Sequence, residues 1–148
     1  MDQARLEKAQ AQSERIFGRR WPTDARPWEP ESAADLWGLL MTQAFGDSWT
    51  RTALDDRTRS IVTVSVLTAL GLEDKLKGHV GGAIKLGVSE DELVDLFVHL
   101  SAYLGVARAG AGWEVVSEVL QERYERRAKR AAAGAIADPA EPGSAEHS

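Results

Sequence analysis

Ile61-Val62-Thr63-Val64-Ser65-Val66-Leu67-Thr68-Ala69-Leu70 is the run whose reading decides the fold class of this chain. It is rich in β-branched residues, and propensity alone would allow a strand. Its alternation of apolar and polar residues is only partial, and both of its ends carry helix signals. Asp55 is placed to cap a helix and Gly71 to stop one. The run is therefore read as a buried helix of about 14 residues. With this segment helical, no convincing strand remains in the chain.

Towards the N-terminus, residues 4–18 read as an amphipathic helix with Leu6, Ala9, Ser13, Ile16 and Phe17 on one face. Trp21-Pro22 through Glu29-Pro30 holds three prolines, which exclude a helix, and two tryptophans, which make it a packed segment. Ser32, with Asp35 three residues on, has the pattern of an N-cap. The helix it opens carries Leu36, Leu39, Leu40 and Phe45 and stops near Gly46.

Towards the C-terminus, Lys75-Leu76-Lys77-Gly78-His79-Val80-Gly81-Gly82-Ala83-Ile84-Lys85-Leu86 reads as a helix ending at Gly87. Ser89-Glu90-Asp91-Glu92 is a full capping box, and Val88 can staple onto Leu93. That helix runs to about Leu104, with Leu93, Leu96, Phe97 and Leu100 as its core stripe, and stops at Gly105. A last helix is predicted from near Ala111 to about Ala131, with Trp113, Val116, Leu120 and Tyr124 on its apolar face. Residues 132–148 are mostly Ala, Gly, Pro, Ser and Glu and are expected to form a disordered tail. The sum is an all-α domain over residues 1–131, a compact bundle of about six helices.

Composition narrows the function. The 148 residues hold no cysteine, which removes disulfides, thiolate metal sites, cysteine nucleophiles and dithiol redox chemistry together. No His-x-x-x-His or His-Glu-x-x-His pair occurs, so no metal site is expected. The net charge of −5 argues against nucleic acid as a partner. The cluster Arg123, Arg126, Arg127, Lys129 and Arg130 lies where cations favour a helix C-terminus. No apolar run is long enough to span a membrane, and the N-terminus lacks a signal-peptide pattern, so a cytoplasmic protein is expected. Five tryptophans and a dense apolar pattern point to a homo-oligomer.

Chemistry is signalled at one place. Three glycines sit in a predicted helix beside His79, and each costs about 1 kcal/mol relative to alanine. They either let another backbone approach or leave room for a ligand beside the imidazole.

Residues 45–106 resemble the carboxymuconolactone decarboxylase family, within the wider alkylhydroperoxidase D-like superfamily. The resemblance is carried by Phe45-Gly46-Asp47-Ser48-Trp49-Thr50-Arg51, Leu54, Arg57-Thr58-Arg59-Ser60, Leu70-Gly71, His79, Gly87-Val88-Ser89 with Glu90 and Glu92, and Tyr103-Leu104-Gly105. It implies a compact helical fold, homo-oligomers that are often trimers or hexamers, and a small-molecule substrate. The implied activity is decarboxylation of a carboxylated butenolide with no metal or organic cofactor. The redox branch of the superfamily uses a Cys-x-x-Cys before the histidine. Leu72 and Lys75 occupy those positions here, so this chain reads as a divergent member without the redox cysteines and without that peroxidase chemistry. Two further departures stand out. Gly81 replaces an arginine typical of the decarboxylases, and Arg108 is new in Gly105-Val106-Ala107-Arg108-Ala109-Gly110. Lys75 stands where an acidic residue is often found.

Decarboxylation without a cofactor needs an electron sink within the substrate. In a butenolide, the electrons released with carbon dioxide flow through the double bond to the lactone carbonyl. The protein must stabilise the oxyanion, supply a proton and hold the carboxylates. His79 is the acid/base candidate, as a histidine titrating near neutrality; the alternative is a core histidine bonded to a carbonyl. Arg51 and Arg59 are expected to bind carboxylate or polarise the carbonyl, or else to pair with Asp47, Asp55 or Asp56. Trp49 is expected to wall the pocket or simply to pack. Gly81 is expected to leave space for substrate, and Arg108 to take over the missing arginine's anion binding. His99 and Tyr103, four apart on one helix, are further substrate-binding candidates, with Asp95 placed to orient His99. The leading reading is a decarboxylase acting on a small carboxylated lactone or related acid. The alternatives are an isomerase or cyclase on the same scaffold with a larger substrate, and a non-catalytic ligand-binding oligomer.

Overall fold

The computed structural model describes residues 2–134; His147 and residues 135–148 of the expected tail lie outside the described residues. Among the described residues there are six α-helices, one π-helix and no strand, so the chain is all-α, as its sequence predicts. In order they are α1 (Gln3–Phe17), α2 (Ala33–Met41), π1 (Thr42–Ser48), α3 (Asp56–Leu70), α4 (Glu73–Lys85), α5 (Glu90–Leu104) and α6 (Val106–Ala132). The chain divides into two compact units, residues 1–59 and a second beginning at Ser60, within α3.

In the first unit α1 packs on π1 and α2. The predicted stop near Gly46 is replaced by a π-helix, whose wider turn carries buried Gly46 against α1. A Cβ on Gly46 would lie 3.4 Å from both the Ala9 Cβ and the Arg5 carbonyl oxygen, so α1 and π1 approach closely here. Phe17 contacts Trp21 and Phe45 edge-on, and Phe45 stacks on Trp49. Two sequence expectations fail here. Ser32 takes helical dihedrals and makes no side-chain cap bond. Leu36, Leu39 and Leu40 are exposed, because α2 buries Gly38 and Met41 instead.

The second unit is built round α6, which packs on both α4 and α5. Its core holds Val64 from α3, Leu76, Val80 and Ala83 from α4, Leu93 and Phe97 from α5, and Val115, Val116 and Val119 from α6. The helix ends follow the glycines. At Gly71 (φ 68°) the Leu72 amide bonds the Leu67 carbonyl and the Gly71 amide the Thr68 carbonyl. At Gly87 (φ 92°) the same pair of bonds returns to Ala83 and Ile84. The capping box forms as predicted: Ser89 and Glu92 exchange both bonds, and Val88 and Leu93 are buried beside them.

The last helix begins at Val106, not near Ala111, and one glycine, Gly105, separates it from α5. Gly112 is a contact point, since a Cβ on it would come 2.6 Å from Thr68 Cγ2 and 2.8 Å from Phe97 Cε1. Tyr124, expected on the buried face, is exposed; Val115 and Val119 take that face.

Candidate active site

His79 lies midway along α4, half-buried at the edge of the second unit's core, with its Nδ1 buried. Leu76, Val80 and Ala83 turn the same side of α4 into that core. Burial, and then the Lys75 charge, push the imidazole pKa down to about 4. The ring is therefore neutral at pH 7, which corrects the expectation of a histidine titrating near neutrality.

Side chains three and four apart on a helix are neighbours, and those two apart are not. The residues flanking His79 along α4 are therefore Lys75 and Leu76 on one side and Gly82 and Ala83 on the other. Gly81, the glycine expected to make room beside the imidazole, faces away from it, and Gly82 occupies that place. The glycines differ in surroundings too. Gly82 is buried, whereas a Cβ on Gly78 or Gly81 would meet nothing within 4 Å. Nothing in the chain's own packing requires glycine at 78 or 81. The sequence held the signal for the pairing of Lys75 with His79 in their spacing of four, where Lys75 was noted only as a departure from the family.

The remaining candidates are spread through both units. Arg59 donates from Nη2 to the carbonyls of Arg51 (3.1 Å) and Leu54 (3.2 Å), tying down the loop before α3. Asp55 caps that helix through the Thr58 amide at 2.6 Å, and this bond holds its carboxyl below the usual range. The ion pairs offered as the alternative for Arg51 and Arg59 go elsewhere: Asp47 pairs with Arg5 at 2.5 Å, and Asp56 with Arg15. Arg51 is exposed, with no side-chain partner among the described residues. Trp49 is 6% exposed and stacks on Phe45.

In the second unit, His99 and Tyr103 do meet, with ring centroids 5.0 Å apart, on the outside of α5. Tyr103 is 76% exposed, and no bond joins Asp95 to His99. Arg108 lies over Gly71, its Cζ 3.2 Å from where a Cβ would stand. Its guanidinium thus lies at the C-terminal end of α3, where a cation is favoured. In the first unit an open cleft of about 330 Å³ is lined by Asp2, Arg5, Asp35, Leu39 and Thr42, none of them a sequence candidate. Among the described residues no three His, Asp or Glu side chains converge as a metal site would need.

Residues 35–118, more than half of the chain, match the model of the carboxymuconolactone decarboxylase family. The chain belongs to this family. It is 38% identical over 88 residues to a 4-carboxymuconolactone decarboxylase of Acinetobacter baylyi, a stretch covering 60% of this chain and 66% of that protein. It is 33% identical over 88 residues to a nitrosuccinic acid decarboxylase of Metarhizium robertsii, covering 60% of this chain and 62% of that one. The chain thus spans just under two thirds of the length of these relatives. Both are named as decarboxylases, and His79 and Lys75 fall within the matched family region.

Proposed function

We propose that this protein is a decarboxylase that removes carbon dioxide from a small carboxylated lactone or related acid, using no metal or organic cofactor. The observation that carries the reading is His79: a half-buried imidazole held neutral, on a helix of the region that matches the decarboxylase family. The names of both relatives support it, since each acts on an acid bearing a carboxyl group.

In the proposed reaction the bond from carbon to the departing carboxylate breaks. Its electron pair moves through the neighbouring double bond onto the lactone carbonyl oxygen, and neutral carbon dioxide leaves. Water then protonates the dienolate carbon. A neutral imidazole cannot easily give up its last N–H proton, but it can donate that N–H to the developing oxyanion. Such a donor acts most strongly when held in a partly desolvated site. His79 fits this better than a general acid poised near pH 7, because burial has moved its titration well below neutrality. The lactone supplies the electron sink, so the chemistry asks for no further group.

The test is the pH dependence of kcat/KM, which reports the ionisations of the free enzyme. With 4-carboxymuconolactone as substrate, the profile should show no inflection attributable to His79 between about pH 5.5 and about pH 8. An inflection near the ordinary histidine pKa that vanishes in His79→Gln would show that His79 works by titrating, and the oxyanion role would be wrong. Added chelator should leave the rate unchanged, whereas a rate lost to chelator and restored by one divalent metal would overturn the cofactor-free reading.

A further inference from the structure

Four of the five tryptophans are buried or half-buried, and the fifth, Trp28, is 82% exposed. Its backbone is nonetheless firmly fixed. The Glu29 amide bonds the Arg26 carbonyl at 2.9 Å and closes a turn with Pro27 and Trp28 at its centre. Proline at the second position of such a turn presets its geometry. The Glu29 carboxylate accepts from the Arg26 amide at 2.9 Å and from Trp37 Nε1 at 3.0 Å. The Arg26 guanidinium lies 3.8 Å over the Trp37 ring. The turn is thus braced on α2 while its tip holds an indole out in solvent. A rigid, exposed tryptophan offers a large contact area at little cost in ordering, which is how binding surfaces use this residue. Residues 26–30 precede the region that matches the family, so this feature is no part of the family's own pattern.

The same unit holds a socket for such a knob. The open cleft of about 330 Å³ is lined by Asp2 and Arg5 at the start of α1 and by Asp35, Leu39 and Thr42 along α2 and the start of π1. Leu39, 58% exposed, gives it an apolar wall, and the exposed Leu36 and Leu40 extend apolar surface beside it. The Arg5 guanidinium is held by Asp47 at 2.5 Å, which fixes a cation for the face of a ring. Asp35 is exposed and has no side-chain partner among the described residues, and an indole N–H, a donor only, needs such an acceptor. We propose that Trp28 of one copy of this chain seats in the cleft of a second copy. Turn and cleft share α2, so a two-fold axis lets each copy give one indole and receive one. Two exchanged indoles bury about 150–250 Å² each. With the cleft walls and the leucines of α2, the contact reaches the order of 1,000 Å² that a specific interface needs. This pairing is independent of the decarboxylase reading.

The experiment is sedimentation velocity on the full chain over a range of micromolar concentrations. The wild type should associate. Trp28→Ala, which removes the knob, and Leu39→Glu, which spoils the socket, should each weaken one association step at least about thirtyfold, the scale of losing a buried aromatic anchor. Both side chains are exposed within one chain, so each variant should keep the wild-type urea midpoint. An equimolar mixture of the two variants is the deciding sample. One chain then carries an intact socket and the other an intact knob, so the mixture should associate more tightly than either variant alone. A wild type that stays monomeric would overturn the proposal. So would a Trp28→Ala chain that associates at wild-type strength, which would assign the indole to a different partner. A mixture no stronger than its components would overturn it too, since a knob and its socket must complement each other across chains.

Discussion

His79 links stability to pH in a direction that its surroundings fix. Its folded pKa of about 4 lies below the ordinary 6.5, so between these values the unfolded chain binds the additional proton. Its contribution is complete above the higher value, falls as pH drops through the window, and is lost below the lower one. At most about 3 kcal/mol is involved. Urea unfolding at about pH 7.5 and about pH 4.5 should show a larger acid loss in the wild type than in His79→Leu, which has no ring to charge. Equal losses would mean that the imidazole is not desolvated as described. Lys75→Gln should raise the His79 pKa, because a nearby positive charge is removed. The place of His79 was legible in the sequence, through a helix weakened by glycines and through the family resemblance. Its titration was not, because burial depends on tertiary packing that no local spacing reveals. Gly81 lies two residues from His79, and residues two apart on a helix point away from each other.

At the scale of the elements, local signals did well where the chain caps itself. Asp55, Gly71, Gly87 and the Ser89–Glu92 box all bound helices as their types predict. Ser89→Ala should cost about 1 kcal/mol, measured by denaturant unfolding; an unchanged midpoint would mean that the box is not formed in solution. The signals failed where tertiary contact decided the matter. The start of α6 was placed five residues late, and Gly112 within it acts as a spacer against Thr68 and Phe97. Gly112→Leu should destabilise the protein by about 1–3 kcal/mol through overpacking against Thr68 and Phe97. Gly81→Ala should do the reverse. It faces open space, so it should gain about 1 kcal/mol of helix propensity and leave turnover unchanged. A fall in turnover on Gly81→Ala would return that residue to the site. Arg59 was read for catalysis and is found clamping a loop, because no spacing rule reveals which backbone carbonyls a long side chain will reach.

For the whole molecule, the all-α class, the family and an excess of apolar residues were legible in the sequence, and which residues stay exposed was not. Leu36, Leu39 and Leu40 on α2 are exposed, and so are Val62, Val66 and Leu70 on α3 and Val94 and Val98 on α5. Within α3 these three residues repeat every four positions, as a stripe that meets another helix does. We take this as support for the homo-oligomer expected from the sequence, since single chains rarely leave such stripes uncovered. Light scattering at micromolar concentration should give a mass at least twice that of one chain; a monomer would contradict it. Among the described residues no helix is long and apolar enough to cross a membrane.

The central claim is that this chain releases carbon dioxide and that His79 stabilises the oxyanion formed as it leaves. The most direct measurement is carbon dioxide evolved from 4-carboxymuconolactone at neutral pH by the wild type and by His79→Ala, with helix content of both checked by circular dichroism. The account predicts stoichiometric release by the wild type and a kcat lower by about two to three orders of magnitude in a folded variant, the range for losing one oxyanion donor. No release by the wild type, or a folded His79→Ala that turns over at the wild-type rate, would contradict it.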